Sequence, residues 1–172
     1  MPATFRLETA ADRAAIRRVV EAAFGQPAEA DLVDALRDEG YVRLSMVAEI
    51  AGQVVGHILF SALPIVTSDR STDENLPALA LAPMAVAPPW QRQGVGSQLI
   101  RHALDACRVA GHRIVVVLCH PEYYPRFGFS ASLARPLESP YAGPAFMALE
   151  LAPGALANVR GRVEYAEPFG RL

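Results

Sequence analysis

The chain is poor in the features that would fix its class at a glance. It has two cysteines, Cys107 and Cys119, and no metal-ligand spacing surrounds either of them. Two unbridged thiols in a cytosolic protein are the expectation, rather than a disulfide framework or a metal site. It has no surplus of positive charge. A formal net charge of −2 argues against nucleic acid as a partner, because phosphate binding needs a basic face to displace counterions. The N-terminal stretch MPATFRLETAADRAAIRR has no apolar core and turns charged at once, so it does not read as a signal peptide. The longest apolar run, IVVVLC, is far too short to span a bilayer. These absences together point to the cytoplasm, with no metal and no membrane.

What is present suits one domain over residues 1–172, of ordinary globular composition and large enough to bury its own core. TFRLETA alternates as a strand. ADRAAIRRVVEAAF places Ile16, Val19, Val20, Ala23 and Phe24 at helical spacing, and Gly25 and Pro27 end it. AEADLVDALRDEG is a second helix with Leu32, Val33 and Leu36 on its apolar face. Two strands, RLSMVAEIAG and QVVGHILFSALPIV, meet at Ala51-Gly52, which suggests a tight hairpin. TSDRSTDENLP is a polar surface loop, and ALALAPMAV a strand interrupted by Pro83. A helix from about Gly94 to Ala110 carries Leu99, Ile100, Ala103, Leu104 and Cys107 on one face. IVVVLC reads as a strand covered on both sides. PEYYPRFGF is a short helix leading into a strand, and FMALELAP and GRVEYAEPFGRL are the last two strands. The order βααβββαβαββ implies a mixed sheet with helices on both faces. Its one parallel pair is joined by a right-handed crossover through the long helix.

The stretch PPWQRQGVGSQLI, from Pro88 to Ile100, puts two glycines at the mouth of that helix. A helix start has unsatisfied N–H groups and a partial positive charge, and removing Cβ lets an oxygen ligand come close. A pyrophosphate suits such a ledge, with Arg92 adding a charged contact. Two phosphate motifs are excluded. No lysine follows either glycine, as a P-loop requires. Leu99 stands where a dinucleotide fingerprint needs its third glycine, and no acidic residue ends the next strand. Taken alone, the glycine pair is equally a packing device. Pro83 adds weight, because proline has no ladder donor and is normally kept out of a central strand. A break there would part this strand from the next and free the backbone of Met84, Ala85 and Val86 for a ligand.

The sequence Gln91-x-x-Gly94-x-Gly96, a long helix, an apolar strand and then Tyr-Pro-Arg-Phe-Gly-Phe resembles the GNAT superfamily of N-acetyltransferases. The LAPMAV and HPEYYPRFGF segments are most similar to its bacterial small predicted acetyltransferases. The resemblance is strong from about Ala78 to Phe129 and loose in the C-terminal part. It implies the GNAT acyl-coenzyme A fold, an α/β architecture whose central sheet is mostly antiparallel with a splayed parallel pair. It implies acetyl-coenzyme A as cosubstrate and a primary amine as acceptor, with direct attack in a ternary complex.

The pyrophosphate would sit on the amides of Gln93, Gly94, Val95, Gly96 and Ser97, with Gln91 and Arg92 at the loop entrance. The pantetheine arm would run along Met84 and Val86. An amide of Ala85 or Val86 would hold the oxyanion. Tyr124 occupies the tyrosine of the family's late Y-x-x-x-G-F pattern and would stabilise the departing thiolate; a packing role is the plainer alternative, and Tyr123 is read as packing.

No general base stands out. His120 and Glu122 read as chain-turning residues, and His57 as a structural histidine. His102 and His112 lie far from the expected cleft. Asp31, Asp34, Asp38, Asp73 and Glu74 could attract a cationic amine or simply face solvent. A non-catalytic acyl-coenzyme A sensor on the same fold is the main rival reading, and a plain nucleotide-binding protein the third. Dimerisation is compatible with the sequence and not decided by it.

Overall fold

The computed structural model describes residues 2–68 and 75–172. Strand β1 (Thr4–Leu7) leads through a short 3-10 turn into α1 (Arg13–Phe24) and α2 (Ala28–Asp38). Strands β2 (Val42–Ile50) and β3 (Gln53–Ala62) follow as a hairpin. Ala51 and Gly52 between them have φ of 52° and 77°. That left-handed pair matches the right-handed twist of the strands it joins. Next come β4 (Ile65–Thr67), β5 (Leu79–Val86), α3 (Val95–Val109) and β6 (Ile114–Leu118). The chain ends with α4 (Ala131–Ala134), β7 (Leu137–Glu138), β8 (Phe146–Glu150) and β9 (Gly161–Val163).

Six strands form the main sheet in the order β1-β2-β3-β5-β6-β8. Every neighbouring pair is antiparallel except β5 and β6, which α3 connects. Helix α3 covers one face through Leu99, Ile100, Ala103, Leu104 and Cys107, the five residues its periodicity selects. Helices α1 and α2 cover the other through Ile16, Val19, Val20, Leu32, Val33 and Leu36. Strand β6 is buried on both sides: Val115 and Val117 join the core under α3, while Ile114 and Val116 join a second cluster with Phe146 and Val163. Burying each such side chain is worth roughly 1.5–3 kcal/mol, so this short strand pins both layers.

The structure corrects the sequence reading at several points. QVVGHILFSALPIV is two strands. Pro64 has no N–H to continue the ladder, and β4 leaves the main sheet for a separate one of order β4-β9-β7. That second sheet has no counterpart in the expected order. GRVEYAEPFGRL is a strand only over Gly161–Val163 and ends in a 3-10 turn over Glu167–Arg171. After Phe129 the chain forms α4 rather than a strand. Phe24, assigned to the buried face of α1, is 42% exposed. Among the described residues, no helix is long and apolar enough to cross a membrane, and no three of His, Cys, Asp and Glu are grouped to hold a metal ion.

Candidate active site

Strands β5 and β6 pair over two positions only, Leu79 with Val115 and Ala80 with Val116. Beyond Ala80 they part. On its other edge β5 stays paired with β3, but with a register shift: Ile58 and Phe60 face Met84 and Leu81. The extra β5 residue is absorbed at Ala82-Pro83. A bulge re-aims a strand, and here the opening falls where Pro83 pointed.

Backbone groups along β5 alternate between its two edges. Ala87 N–H donates to Val55 O on β3 at 2.8 Å, so the N–H of Ala85 also turns toward β3. Those of Met84 and Val86 turn to the open edge. Val86 O confirms the direction, because it accepts from Gln91 Nε2 at 2.8 Å on that side. Ala85 is thus excluded as an oxyanion donor, although it still lines the opening.

Helix α3 starts beside this edge. Gly94 sits at φ +86°, and the first helical bond runs from Gln98 N–H to Gly94 O. The N–H groups of Val95, Gly96 and Ser97 therefore have no partner within the helix. A Cβ at Gly96 would stand 3.4 Å from Val86 Cγ2 and 3.7 Å from the Tyr123 hydroxyl, so glycine keeps the space between helix and strand narrow but open.

Gln91 braces the loop to β5. Gln93 turns outward, its Nε2 donating to Pro89 O at 2.9 Å, and Val95 is buried in the core; neither is among the residues that line the cleft. Arg92 lines the cleft. So does a residue the sequence reading passed over, Arg126, whose guanidinium lies 4.4 Å from the centre of the Tyr123 ring. Tyr123 in turn shares a 2.9 Å hydrogen bond with Ser97, so it is a wall of the cleft. The first cleft has a volume of about 540 Å³.

A second cleft, of about 470 Å³, continues from it and shares Phe24 and Met84. Its floor is the parted edges of β5 and β6, and Tyr124 lies in its wall. The Tyr124 ring is almost fully buried, edge-on to Phe127 and Phe129. Burial raises its pKa, helped by the nearby Cys119 and Tyr123, so the phenol keeps its proton throughout the physiological range. The Cys119 thiol, in the same cleft, is also pushed up by burial.

The candidate bases fall away. His120 and Glu122 are exposed and line neither cleft. His57 is fully buried, 2.8 Å from the Ser45 hydroxyl, and burial first, then Arg37, pulls its pKa down to about 3. His102 stacks on Phe5. Asp31 and Asp34 are tied to Arg17 at 2.7 Å each. Asp73 and Glu74 lie outside the described residues.

A family model described as "Acetyltransferase (GNAT) domain" matches residues 42–131, which contain both the glycine loop and Tyr124. The chain belongs to the GNAT acetyltransferase family. It is thereby an acetyl-coenzyme A-dependent acyltransferase by family. The GNAT relative "Uncharacterized N-acetyltransferase YhbS" of Escherichia coli (strain K12) is 36% identical over 170 residues, covering 97% of this chain and 98% of the relative. A crystal structure of Escherichia coli YhbS in complex with CoA superposes with a TM-score of 0.89 at 35% identity, covering 99% of this chain and 93% of the other. A GNAT acetyltransferase from Brucella melitensis in complex with acetyl-CoA gives a TM-score of 0.79 at 35% identity, covering 98% of both chains.

Proposed function

We propose that residues 1–172 form one N-acetyltransferase domain that moves an acetyl group from acetyl-coenzyme A to a primary amine. The observation that carries this reading is the opening of β5 from β6 after Ala80, beside three amides at the start of α3 that have no partner among the described residues. The fit is chemical. The amides of Val95, Gly96 and Ser97 supply donors for a diphosphate at the positive end of a 15-residue helix. Arg92 and Arg126 flank them with charge. The N–H and C=O groups on the open edge of β5 can pair with an amide-bearing pantetheine arm. Two unbridged cysteines support the cytoplasm as its location. A homodimer is compatible but not required, since one chain lines both clefts.

In the reaction, the amine nitrogen bonds to the acetyl carbon and the carbon–sulfur bond breaks, giving an amide and the coenzyme thiol. The Met84 N–H, where the two clefts meet, is placed to donate to the oxyanion. Tyr124 holds its proton too firmly to give it up outright to a thiolate of ordinary pKa about 8.5. It acts as a hydrogen-bond donor to the departing sulfur, and the proton shed by the nitrogen ends on that sulfur. No side-chain base is assigned. An amine that enters neutral, or loses its proton to water, needs none.

The test is product formation. Labelled acetyl-coenzyme A with amines should yield an N-acetyl product. Thermal stabilisation by coenzyme A without any product would instead favour the sensor role, and stabilisation by ATP or NAD alone a plain nucleotide site.

A further inference from the structure

The second cleft differs in kind from the first. Six large hydrophobic side chains are exposed among the described residues, and four of them, Phe24, Leu118, Tyr141 and Leu172, line this one cleft. Exposed apolar surface gathered in a concavity marks a binding site for apolar matter. Behind the rim, Tyr165 makes edge contacts with Tyr141 at 5.4 Å and Phe169 at 5.5 Å, giving a preformed aromatic wall. One lining side chain carries charge. This is Glu29, at the start of α2, whose carboxylate accepts only from Gln26 Nε2, at 2.8 and 3.1 Å, among the described residues. The cleft therefore offers one acidic side chain beside an apolar, partly aromatic pocket, continuous with the thioester end of the coenzyme cleft.

We propose that the acceptor is a primary amine bearing one aromatic or long aliphatic group and no second cationic group. This rests on the acetyltransferase reading of the site. Phe24, Tyr165, Phe169 and Leu172 hold the apolar part. Glu29 draws in the ammonium form, which loses its proton before attack. Charge complementarity sets the limit on the other side. A diamine or polyamine would bring a second ammonium into an apolar pocket whose lining has no second acidic side chain, at a desolvation cost that contact with the aromatic rings offsets only in part. The same chemistry could come from a free arylalkylamine or from the N-terminus of a peptide beginning with a bulky apolar residue, and the two are separable by experiment.

The test uses the whole chain with acetyl-coenzyme A and detects acetylated product by mass, which avoids interference from Cys107 and Cys119. The absence of lysine from the chain also keeps self-acetylation of ε-amines out of the background. The panel is a linear alkylamine series, 2-phenylethylamine, spermidine, a lysine peptide with a blocked N-terminus, and peptides starting with Phe or Gly.

Each added methylene should raise kcat/KM about fourfold, the equivalent of about 0.8 kcal/mol. Phenylethylamine should exceed spermidine by at least tenfold. Phe169→Ala and Leu172→Ala should flatten that gradient while the KM for acetyl-coenzyme A stays unchanged. Glu29→Gln should raise the KM for the amine about tenfold. A Phe-initiated peptide matching phenylethylamine would assign the site to peptide N-termini, and a free-amine preference would assign it to small amines; either supports the proposal.

Spermidine or the lysine peptide leading the panel, with no methylene gradient, overturns the proposal and leaves the acetyltransferase reading intact. Binding to the coenzyme A-saturated protein, read as thermal stabilisation, separates the remaining cases. A gradient in binding without any product supports the pocket and sinks the enzyme. Neither binding nor product across the panel overturns both.

Discussion

The two clefts meet at Phe24 and Met84 and are built on opposite plans. The first is made from backbone: amides at the start of α3, the free edge of β5 and a glycine that keeps them apart. The second is made from side chains, mostly apolar and several of them aromatic, contributed by segments far apart in sequence. The contrast follows from what each is proposed to hold. A diphosphate is recognised by N–H groups whatever side chains they carry, whereas an apolar group is recognised only by the side chains that enclose it. Residues 42–131, matched by the family model, contain nearly all of the first plan. Phe24, Glu29, Leu32, Tyr141, Tyr165, Phe169 and Leu172 of the second lie outside that span.

The largest expected effect comes from filling the gap that the backbone site depends on. Gly96→Leu should abolish stabilisation by coenzyme A, because its side chain must occupy the space between α3 and Val86. Undiminished coenzyme affinity in that variant, by calorimetry, would mean the ledge is not the site. Tyr124→Phe should lower kcat by about 10²-fold while coenzyme affinity holds, which separates chemistry from binding. An unaltered kcat removes Tyr124 from the mechanism. Because burial holds the phenol pKa up, any alkaline loss of activity below pH 10 should survive in Tyr124→Phe.

Arg92→Ala and Arg126→Ala should each raise the KM for acetyl-coenzyme A roughly tenfold, the scale of one charged hydrogen bond. Rising salt should erase the difference from the parent. An equal rise in the KM for the amine would show the clefts to be less separate than their walls suggest.

The last effect concerns the scaffold rather than either cleft and vanishes at neutral pH. His57 is neutral when folded, with a pKa near 3, against 6.5 in the unfolded chain. Its contribution is whole above pH 6.5 and is lost as pH falls toward 3, at up to about 1.4 kcal/mol per pH unit. Asp12, held well below the usual carboxylate range by Arg6, adds its loss only below 3.8. Acid inactivation between these values should therefore track unfolding by circular dichroism, and His57→Gln should reduce the slope.

The elements of the first cleft were legible because local rules write them. Gly94 and Gly96 open a helix with an unbroken apolar face, and Pro83 interrupts a strand whose neighbours demand burial. Arg126 carries no signal of its own in the sequence, because it occupies a variable position inside the Tyr-Pro-Arg-Phe-Gly-Phe motif. Its approach to the ledge depends on Tyr123 stacking beneath it. The break at Pro64 was legible in principle, but a continuous apolar pattern across it concealed the second sheet. Phe24 fitted the helical period of α1 well and is nevertheless at the rim, since periodicity gives an angle around the helix and not whether the sheet beneath extends that far.

By itself the sequence determined the glycine-led start of the long helix, the break at Pro83 and the buried faces of the elements, because each depends on residues within a few positions of one another; the mixed sheet and its parallel crossover followed from the order of those elements. Only the tertiary structure decided which amides of β5 face outward, and that the end of α1 meets the last turn of the chain over the second cleft. Those outcomes depend on long-range register and on the closing of β4 against β9. No window of neighbouring residues encodes them, since the partners that fix them lie 32 positions apart between Val55 and Ala87 and 98 apart between Ile65 and Val163.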